Sequence, residues 1–476
     1  MNDDVFFASI GELNAKLKAR EFSARDLTRA FTERMEKLGP RYNALALLLP
    51  QQAIRAAKNI DDDLKRQRFR GLLQGIPYGV KDLLSLEKQP TTWGAAPYAG
   101  QVFDYTATVI KKLDKANAVL TSKLAMVELA GGPSYRYANA SLQGAGLNPW
   151  DRTRWSGGSS SGSAIAVAAG LVTFALGSET SGSILTPSAF CGVTGLRPTY
   201  GLVSRHGAMA LSWTMDKIGP LCRSAEDCGI VLEAIAGGDI EDPASAGKGF
   251  YNAPQYTRDL KTIRVGYAPV DFEEWAEPAA RPDLKKAFEV IRGMGMQVAE
   301  AKLPDFPYGA LAGTIVSAEA ASIFEPLIES GKVEQLVDAR QKAGLKAGLE
   351  IPAKDYLRAM RVRSLVQKAF RELLADVDVL VTPTRPAPAP KISEPLDRLG
   401  AGRPRPKDPG FSSLIPAGNL VGMPALSLPC GFADGMPIAI SLVGRPFSEN
   451  ILLKIGRQFQ AETDWHRRRP PMGEHA

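Results

Sequence analysis

Two short turns rich in glycine and serine contain the residues best suited to acyl-transfer chemistry. They are residues 157–163 (GGSSSGS) and residues 180–183 (TSGS), and both lie between strongly apolar segments. Turns of this composition expose backbone N–H groups, and their serine hydroxyls are candidate nucleophiles. Neither turn matches the phosphate-binding patterns GxxxxGKS/T or GxGxxG followed by an acidic residue. The turns therefore favour a serine nucleophile over a nucleotide site.

A serine nucleophile needs a base, and histidine is the usual one. His475 lies in the C-terminal tail, and His206 and His466 lie outside any site-like context. Lys81 is the better candidate because it ends the apolar run 76–80. Burial disfavours the charged form of a lysine, so a buried Lys81 would be able to accept a proton near pH 7.

The order and spacing of several blocks resemble those of the amidase signature enzymes from about residue 8 to residue 470. No block is decisive alone, but the series is highly specific. The blocks are GIPYGVKDLL (75–84), SGGSSSGSAIAVAAGL (156–171), ALGSETSGSILTPSAFCGVTGLRPTYGLVSRHGAM (175–209), DKIGPLCRSAEDC (216–228), GNLVGMPALSLPCGF, PIAISLVGRPF and WHRRRP. The resemblance implies a serine hydrolase that cleaves amide bonds with no cofactor and no metal.

The resemblance also implies a role for three matched side chains. Lys81 corresponds to the family's base, Ser159 to the serine that bridges base and nucleophile, and Ser183 to the nucleophile. In the implied relay, neutral Lys81 takes the proton of Ser159 while Ser159 takes that of Ser183. Chemistry of this kind would form an acyl-enzyme on Ser183.

Further roles are implied around the two turns. Backbone N–H groups of the second turn would form the oxyanion hole, and these belong to Thr180, Ser181, Gly182 and Ser183. Ser160 resembles the family serine that supports the relay by hydrogen bonding. The family's bridging serine follows a cis peptide bond, which here would be Gly158–Ser159.

Three departures from the family pattern bear on the substrate more than on the mechanism. Leu185 stands where the family usually has an arginine, which removes a cation from near the nucleophile. Ser161 replaces a usual glycine, and Ala125 stands where asparagine is frequent. Glu179, in contrast, keeps the negative charge that precedes the second turn.

The sequence leaves three functional hypotheses. The first is a free-standing amidase that acts on an apolar or aryl amide, an anilide or a carbamate, with accompanying esterase activity. The second is the glutaminase subunit of a tRNA-dependent amidotransferase, which must bind the carboxylate of glutamine with a fixed cation. Leu185 argues against it. The third is an inactive binding module of the same fold, against which the joint presence of Lys81, Ser159, Ser160 and Ser183 argues.

The segments around these residues alternate between strand-like and helix-like patterns. This alternation predicts an α/β fold, a layered α/β/α arrangement in which helices cover both faces of a central twisted mixed β-sheet. We expect a single domain over residues 1–476 with a catalytic core at about 70–235. The uniformly apolar residues 164–176 predict one buried helix. Recurrent proline predicts an irregular surface loop over 386–410, at the rim of a site.

The composition is that of a folded globular protein, with 45% hydrophobic and 23% charged residues. The net charge of +7 comes from lysine and arginine spread along the chain, so nucleic-acid binding is not expected. The sequence has no secretory signal and no apolar run of membrane-spanning length, which favours a cytoplasmic location without membrane contact. Its four scattered cysteines indicate buried reduced thiols. The expected partner is a small-molecule amide, and a homodimer is left open.

Overall fold

The structure is a computed structural model that describes residues 1–396 and 406–471. Its α-helices are Ile10–Ala19 (α1), Ala24–Leu38 (α2), Pro50–Lys65 (α3), Thr108–Lys115 (α4), Ser161–Ala168 (α5), Leu185–Cys191 (α6), Ala225–Ile235 (α7), Arg281–Gly293 (α8), Tyr308–Ile323 (α9), Glu325–Glu329 (α10), Ala339–Leu349 (α11), Ala353–Asp376 (α12), Leu414–Val421 (α13) and Glu449–Glu462 (α14). Its strands are Leu45–Leu48 (β1), Pro77–Lys81 (β2), Val119–Leu124 (β3), Leu147–Asn148 (β4), Asp151–Trp155 (β5), Phe174–Glu179 (β6), Thr194–Arg197 (β7), Lys217–Cys222 (β8), Arg264–Tyr267 (β9), Gln297–Glu300 (β10), Val379–Pro383 (β11), Ala425–Ala433 (β12) and Met436–Gly444 (β13).

A single sheet of eleven strands has the order β1-β3-β2-β6-β8-β7-β12-β13-β11-β9-β10. β2 pairs in parallel with β3 and β6, and β9 pairs in parallel with β10 and β11. The other pairs in this sheet are antiparallel. The sheet is therefore mixed, as predicted, and β4 with β5 forms a separate two-stranded ribbon.

Two groups of helices cover the large sheet. α5 and α6 pack on each other, α5 against β2, β6 and β8, and α6 against β7, β12 and β13. α14 packs on α7 and α8, and all three of these helices also pack on strands of the sheet. Every residue of α5 is buried, because its sequence SGSAIAVA has no charged side chain that would require solvent. The predicted α/β class, with helices on both faces of the sheet, is confirmed.

The single buried helix predicted over residues 164–176 is wrong, because two elements occupy this segment. α5 ends at Ala168, and Gly170 follows with a φ of 64°. A left-handed conformation of this kind is accessible to glycine and ends the helix. β6 then begins at Phe174. The segment is buried, as its apolar composition predicts. A short buried strand and a buried helix have the same composition, so composition could not separate the two elements.

The proline-rich segment has no α-helix and no strand over residues 386–396 and 406–410. It is not wholly a surface loop, because residues 388–390 are buried. The segment docks on β5, where Trp155 N donates to Pro390 O at 2.8 Å and Ile392 N donates to Thr153 O at 2.9 Å. Residues 397–405 of the predicted loop lie outside the described residues.

Several simpler expectations can be compared with the described chain. All four cysteines are free and buried, and the burial agrees with the prediction. None of the helices in residues 1–396 and 406–471 has the length and apolarity needed to cross a membrane. Over the same residues, no cluster of histidine, cysteine and acidic side chains is arranged to hold a metal ion.

Candidate active site

Lys81 is the last residue of β2, which lies between its parallel neighbours β3 and β6. The residue is fully buried, and its Nζ donates hydrogen bonds to Ser159 Oγ at 2.7 Å and to Ser178 Oγ at 2.9 Å. Burial lowers the pKa of Lys81 to about 7, against the opposing effect of the Asp216 and Glu179 carboxylates. A substantial fraction of this amine is therefore neutral at pH 7, in contact with two hydroxyl groups.

The first glycine and serine turn presents Ser159 to this amine. The Gly158–Ser159 peptide bond is cis, as the family resemblance implies, and Ser159 O accepts a hydrogen bond from Val127 N at 3.1 Å. The Ser160 hydroxyl donates to Ser178 O and accepts from Ser178 N, each at 3.2 Å. Ser160 thereby joins this turn to β6, directly beside the second partner of Lys81.

The second turn carries Ser183 at the edge of a cleft of about 480 Å³. Ser183 is half-buried, and its carbonyl accepts a hydrogen bond from Ser160 N at 3.3 Å, which ties the two turns together. Gly182 has a φ of 98°, and a Cβ at this position would lie 3.2 Å from Thr186 Oγ1. The backbone conformation therefore favours glycine here, and any other residue would also crowd Thr186.

The N–H groups of the second turn differ from those of the two residues that follow it. Within the described chain, the backbone N–H groups of residues 180–183 donate to no protein acceptor, and the turn lines the cleft. In contrast, Ile184 N and Leu185 N both donate to Glu179 Oε2, at 2.9 and 3.0 Å. Free N–H groups beside a half-buried serine hydroxyl are suited to binding a negatively charged oxygen.

Glu179 holds this turn from its buried side. Its Oε1 accepts hydrogen bonds from Arg197 Nη1 at 2.8 Å and Asn419 Nδ2 at 2.9 Å. The side chains of Glu179 and Arg197 are both 0% exposed. Burial alone would raise the pKa of Glu179, but Arg197 and Asn419 outweigh that effect and the pKa is lowered. Sequence analysis recognised Glu179 only as an acidic match and missed both of its partners.

Thr180 is fixed by a second buried carboxylate. Its Oγ1 donates to Asp216 Oδ1 at 2.6 Å, while Asp216 Oδ2 accepts from Leu211 N at 2.8 Å and Ser212 N at 2.9 Å. Burial raises the pKa of Asp216, and these hydrogen bonds oppose the rise. The strand β8 and the segment before it therefore restrain the start of the second turn.

Two residues near the predicted triad were missed by sequence analysis. Ser178 lies on β6 beside β2, so the parallel pairing of these strands brings it to Lys81. Ser178 could have been predicted from the rule that the carboxyl ends of neighbouring parallel strands lie at the same edge of a sheet. Arg385 follows β11, lines the cleft and is half-buried. Leu185, in contrast, is 1% exposed and packs in the hydrophobic core.

Comparison with known proteins shows likeness over nearly the whole chain. The Amidase family model matches residues 26–453. The A component of glutamyl-tRNA(Gln) amidotransferase from Chloroflexus aggregans is 35% identical, with 98% of this chain and 99% of that protein covered. The native peptide amidase of Stenotrophomonas maltophilia superimposes with a TM-score of 0.83 at 30% identity, covering 98% of this chain and 99% of that one. The same amidotransferase component from Thermotoga maritima gives a TM-score of 0.76 at 28% identity, covering 97% and 96%.

Proposed function

Because the chain belongs to the amidase signature family of carbon–nitrogen hydrolases, we propose that it cleaves an amide through an acyl-enzyme on Ser183. The observation that carries the proposal is the buried Lys81 amine, whose Nζ lies 2.7 Å from Ser159 Oγ. Its lowered pKa supplies a base near neutral pH without an imidazole. The backbone hydrogen bond from Ser160 to Ser183 keeps the proposed nucleophile beside this pair.

Acylation would proceed by two proton transfers and one attack. Neutral Lys81 accepts the Ser159 proton as Ser159 Oγ accepts the Ser183 proton, and Ser183 Oγ bonds to the amide carbon. The carbonyl oxygen becomes an oxyanion, which the N–H groups of Thr180, Ser181, Gly182 and Ser183 would stabilise. The C–N bond then breaks, and the leaving nitrogen takes a proton back through the same relay.

Deacylation would use the same groups in the same order. Water attacks the acyl carbon and gives its proton to the relay, and the oxyanion again binds at the N–H groups of residues 180–183. Collapse of this intermediate breaks the ester bond, returns a proton to Ser183 Oγ and releases the carboxylic acid. Ser160 and Ser178 would hold the relay in position through their mutual hydrogen bonds.

The glutaminase component of a tRNA-dependent amidotransferase is a second candidate function. It is supported by the similarity to amidotransferase A components along the full chain. Leu185, which stands where the family usually has an arginine, packs in the core and does not line the cleft. The residue at this position therefore says little against a glutaminase. This candidate is better supported than an enzyme acting on an apolar aryl amide, anilide or carbamate.

Labelling with a fluorophosphonate probe tests the proposed nucleophile. We expect the folded protein to incorporate one label, which peptide mapping places on Ser183, and the Ser183→Ala variant to incorporate none. Denatured protein is the control for non-specific reaction. Folded protein that stays unlabelled would favour the inactive binding module.

Release of the leaving amine distinguishes the two enzymatic candidates. The purified chain is incubated separately with glutamine, with simple primary amides and with anilides; ammonia is measured for glutamine and the primary amides, and the released arylamine is measured for the anilides. Turnover of simple amides by the chain alone supports a free-standing amidase. The glutaminase component is supported if glutamine is the one substrate that releases ammonia and if this release requires the added partner proteins of an amidotransferase.

A further inference from the structure

Arg385 is the feature of the cleft that the proposed chemistry does not use. It lines the same cavity as Ser183, and among the lining residues of the described chain it is the one with a charged side chain. No carboxylate within residues 1–396 and 406–471 forms an ion pair with Arg385. The cavity therefore contains a cation whose charge is not neutralised by a described carboxylate.

The backbone around Arg385 is held by the elements on either side of it. Arg385 is the second residue after β11, and the carbonyl of the next residue, Pro386 O, accepts a hydrogen bond from Glu277 N at 2.7 Å. Further along, Arg154 Nη1 donates to Ala389 O at 2.7 Å. The segment that carries Arg385 is therefore anchored at its backbone on the C-terminal side of this residue.

Tyr135 lines the same cleft as Arg385 and lies at its reacting end. A Cβ built on Gly158 would lie 3.2 Å from the Tyr135 hydroxyl oxygen, so this hydroxyl lies beside the residue that precedes Ser159. The positive charge of Arg385 acts on Tyr135, against the burial that raises the pKa of the phenol. Tyr135 and Arg385 therefore line the same cleft as half-buried residues, close enough for the charge of one to act on the other.

We propose that Arg385 is a specificity-determining residue that binds a carboxylate on the acyl portion of the substrate. The inference rests on the proposed function, and it narrows the substrate class to amides whose acyl group carries a carboxylate. The fork of a guanidinium matches the two oxygens of a carboxylate, and such charge-assisted hydrogen bonds are the strong ones. A neutral acyl group would leave the Arg385 charge unpaired in the cleft.

Matched pairs of primary amides test this inference. The anionic probes are malonamate, succinamate and glutaramate, and each is compared with the neutral amide in which an isopropyl group replaces the carboxylate. We expect the wild-type chain to hydrolyse at least one anionic probe with a kcat/KM about 10- to 100-fold above its neutral partner. Arg385→Gln should remove that preference by slowing the anionic probe alone, and Arg385→Lys should keep part of it. Arg361→Gln, at an exposed arginine of α12, is the matched control.

A measurement of ligand binding is needed in case Arg385→Gln loses activity for a reason other than the loss of carboxylate binding. Malonate, succinate or glutarate should protect Ser183 from the fluorophosphonate probe in the wild-type chain and fail to protect it in Arg385→Gln. Equal losses on anionic and neutral probes, or protection that survives in Arg385→Gln, would overturn the inference. Such results would leave the proposed function intact as long as Ser183 is labelled and neutral amides are hydrolysed.

Discussion

Lys81 has to be neutral before it can accept a proton, so its titration should govern the pH dependence of the reaction. The pKa of Lys81 is about 7, and the neutral fraction grows as the pH rises through that value. For an uncharged amide we expect kcat/KM to fall about tenfold per pH unit below pH ~6 and to level off above pH ~8. Initial rates across this range measure the profile. A midpoint near that of an ordinary lysine, about 10, would contradict the lowered pKa.

Removing the amine while keeping the apolar stem isolates its chemical contribution. Lys81→Met should lower kcat/KM by at least about 100-fold, because general-base catalysis contributes on that order. The fold should persist, since methionine fills a buried apolar site well. Steady-state kinetics and thermal unfolding measure the two effects, with the exposed Lys111→Met as control. A Lys81→Met enzyme with most of its activity would exclude the relay.

Ser178 supports the amine and gives a sharper test of its environment. Ser178→Ala removes the acceptor 2.9 Å from Lys81 Nζ, and that acceptor stabilises the charged amine more than the neutral one. We expect kcat to fall about tenfold and the midpoint of the pH profile to move to lower pH. Ser163→Ala is the matched control, because Ser163 Oγ donates to Leu176 O at 3.0 Å without contacting the amine. If the midpoint of the pH profile does not change in Ser178→Ala, Ser178 contributes to packing and not to the pKa of Lys81.

Sequence alone identified residues that belong to contiguous motifs. Lys81, Ser159 and Ser183 are recognised because each lies inside a block of fixed local pattern, and two of them are in contact as predicted. Ser178 could not be distinguished from any other serine of a strand until the neighbour of that strand was known. Arg385 follows an ordinary buried strand, and nothing in its local sequence indicates the cleft that it lines.

The shape of the second turn depends on two buried carboxylates, Asp216 at its start and Glu179 at its end. Glu179→Gln would leave Arg197 without its counter-charge in a fully buried position. Breaking a buried pair in this way costs about 3–5 kcal/mol, and the loss of the N–H contacts to Ile184 and Leu185 should also misplace Ser183. We expect a large fall in the urea midpoint together with a loss of turnover.

An exposed ion pair provides the comparison for that variant. Lys16 and Glu21 form a salt bridge with both side chains substantially exposed, at 40% and 52%. Glu21→Gln should change the free energy of unfolding by no more than about 1 kcal/mol and leave turnover unaltered. Equal destabilisation by Glu179→Gln and Glu21→Gln would show that the buried carboxylate does not organise the turn.

The elements themselves were predicted well where local periodicity is strong and poorly where burial erases it. The sequence pattern predicts a final helix over residues 449–462, which are the limits of α14, and the strand-like runs ALSLPCGF and PIAISLVG coincide with the strands on either side of Asp434. Residues 164–176 carry no polar positions that would separate a helical repeat from a strand repeat. The long-range contact of Asn419 with Glu179 depends on the order of strands in the sheet, which no local pattern encodes.

The N-terminal helices are joined to the rest of the molecule through a buried aspartate. Asp227 Oδ1 accepts a hydrogen bond from Ile10 N at 3.1 Å, and Asp227 is 1% exposed. Burial raises the pKa of Asp227 to about 7, and Glu226 and Glu12 act in the same direction. The folded chain therefore retains a proton at this position that the unfolded chain has lost above pH ~4.

This proton makes the stability of the whole molecule depend on pH. Between pH ~4 and ~7 the folded state binds more protons than the unfolded state, so the free energy of unfolding should fall as the pH rises through this window. In Asp227→Asn the free energy of unfolding should depend less on pH in this window, and the variant should be more stable than the wild type at pH 8. Thermal unfolding at a series of pH values measures both, with the half-exposed Asp62→Asn as control. Parallel curves for the wild type and Asp227→Asn would contradict this assignment.

The contact between Glu179 and Asn419 sets a limit on when this protein can become active during its synthesis. Arg197 Nε also donates to Met423 O at 3.0 Å, so the support for the second turn includes residues that the ribosome adds late. A nascent polypeptide that stops short of this region lacks those partners, even though Lys81, Ser159 and Ser183 have all been translated. Products that terminate before Asn419 should therefore be inert, and hydrolysis should begin only after the residues up to Met423 have left the exit tunnel.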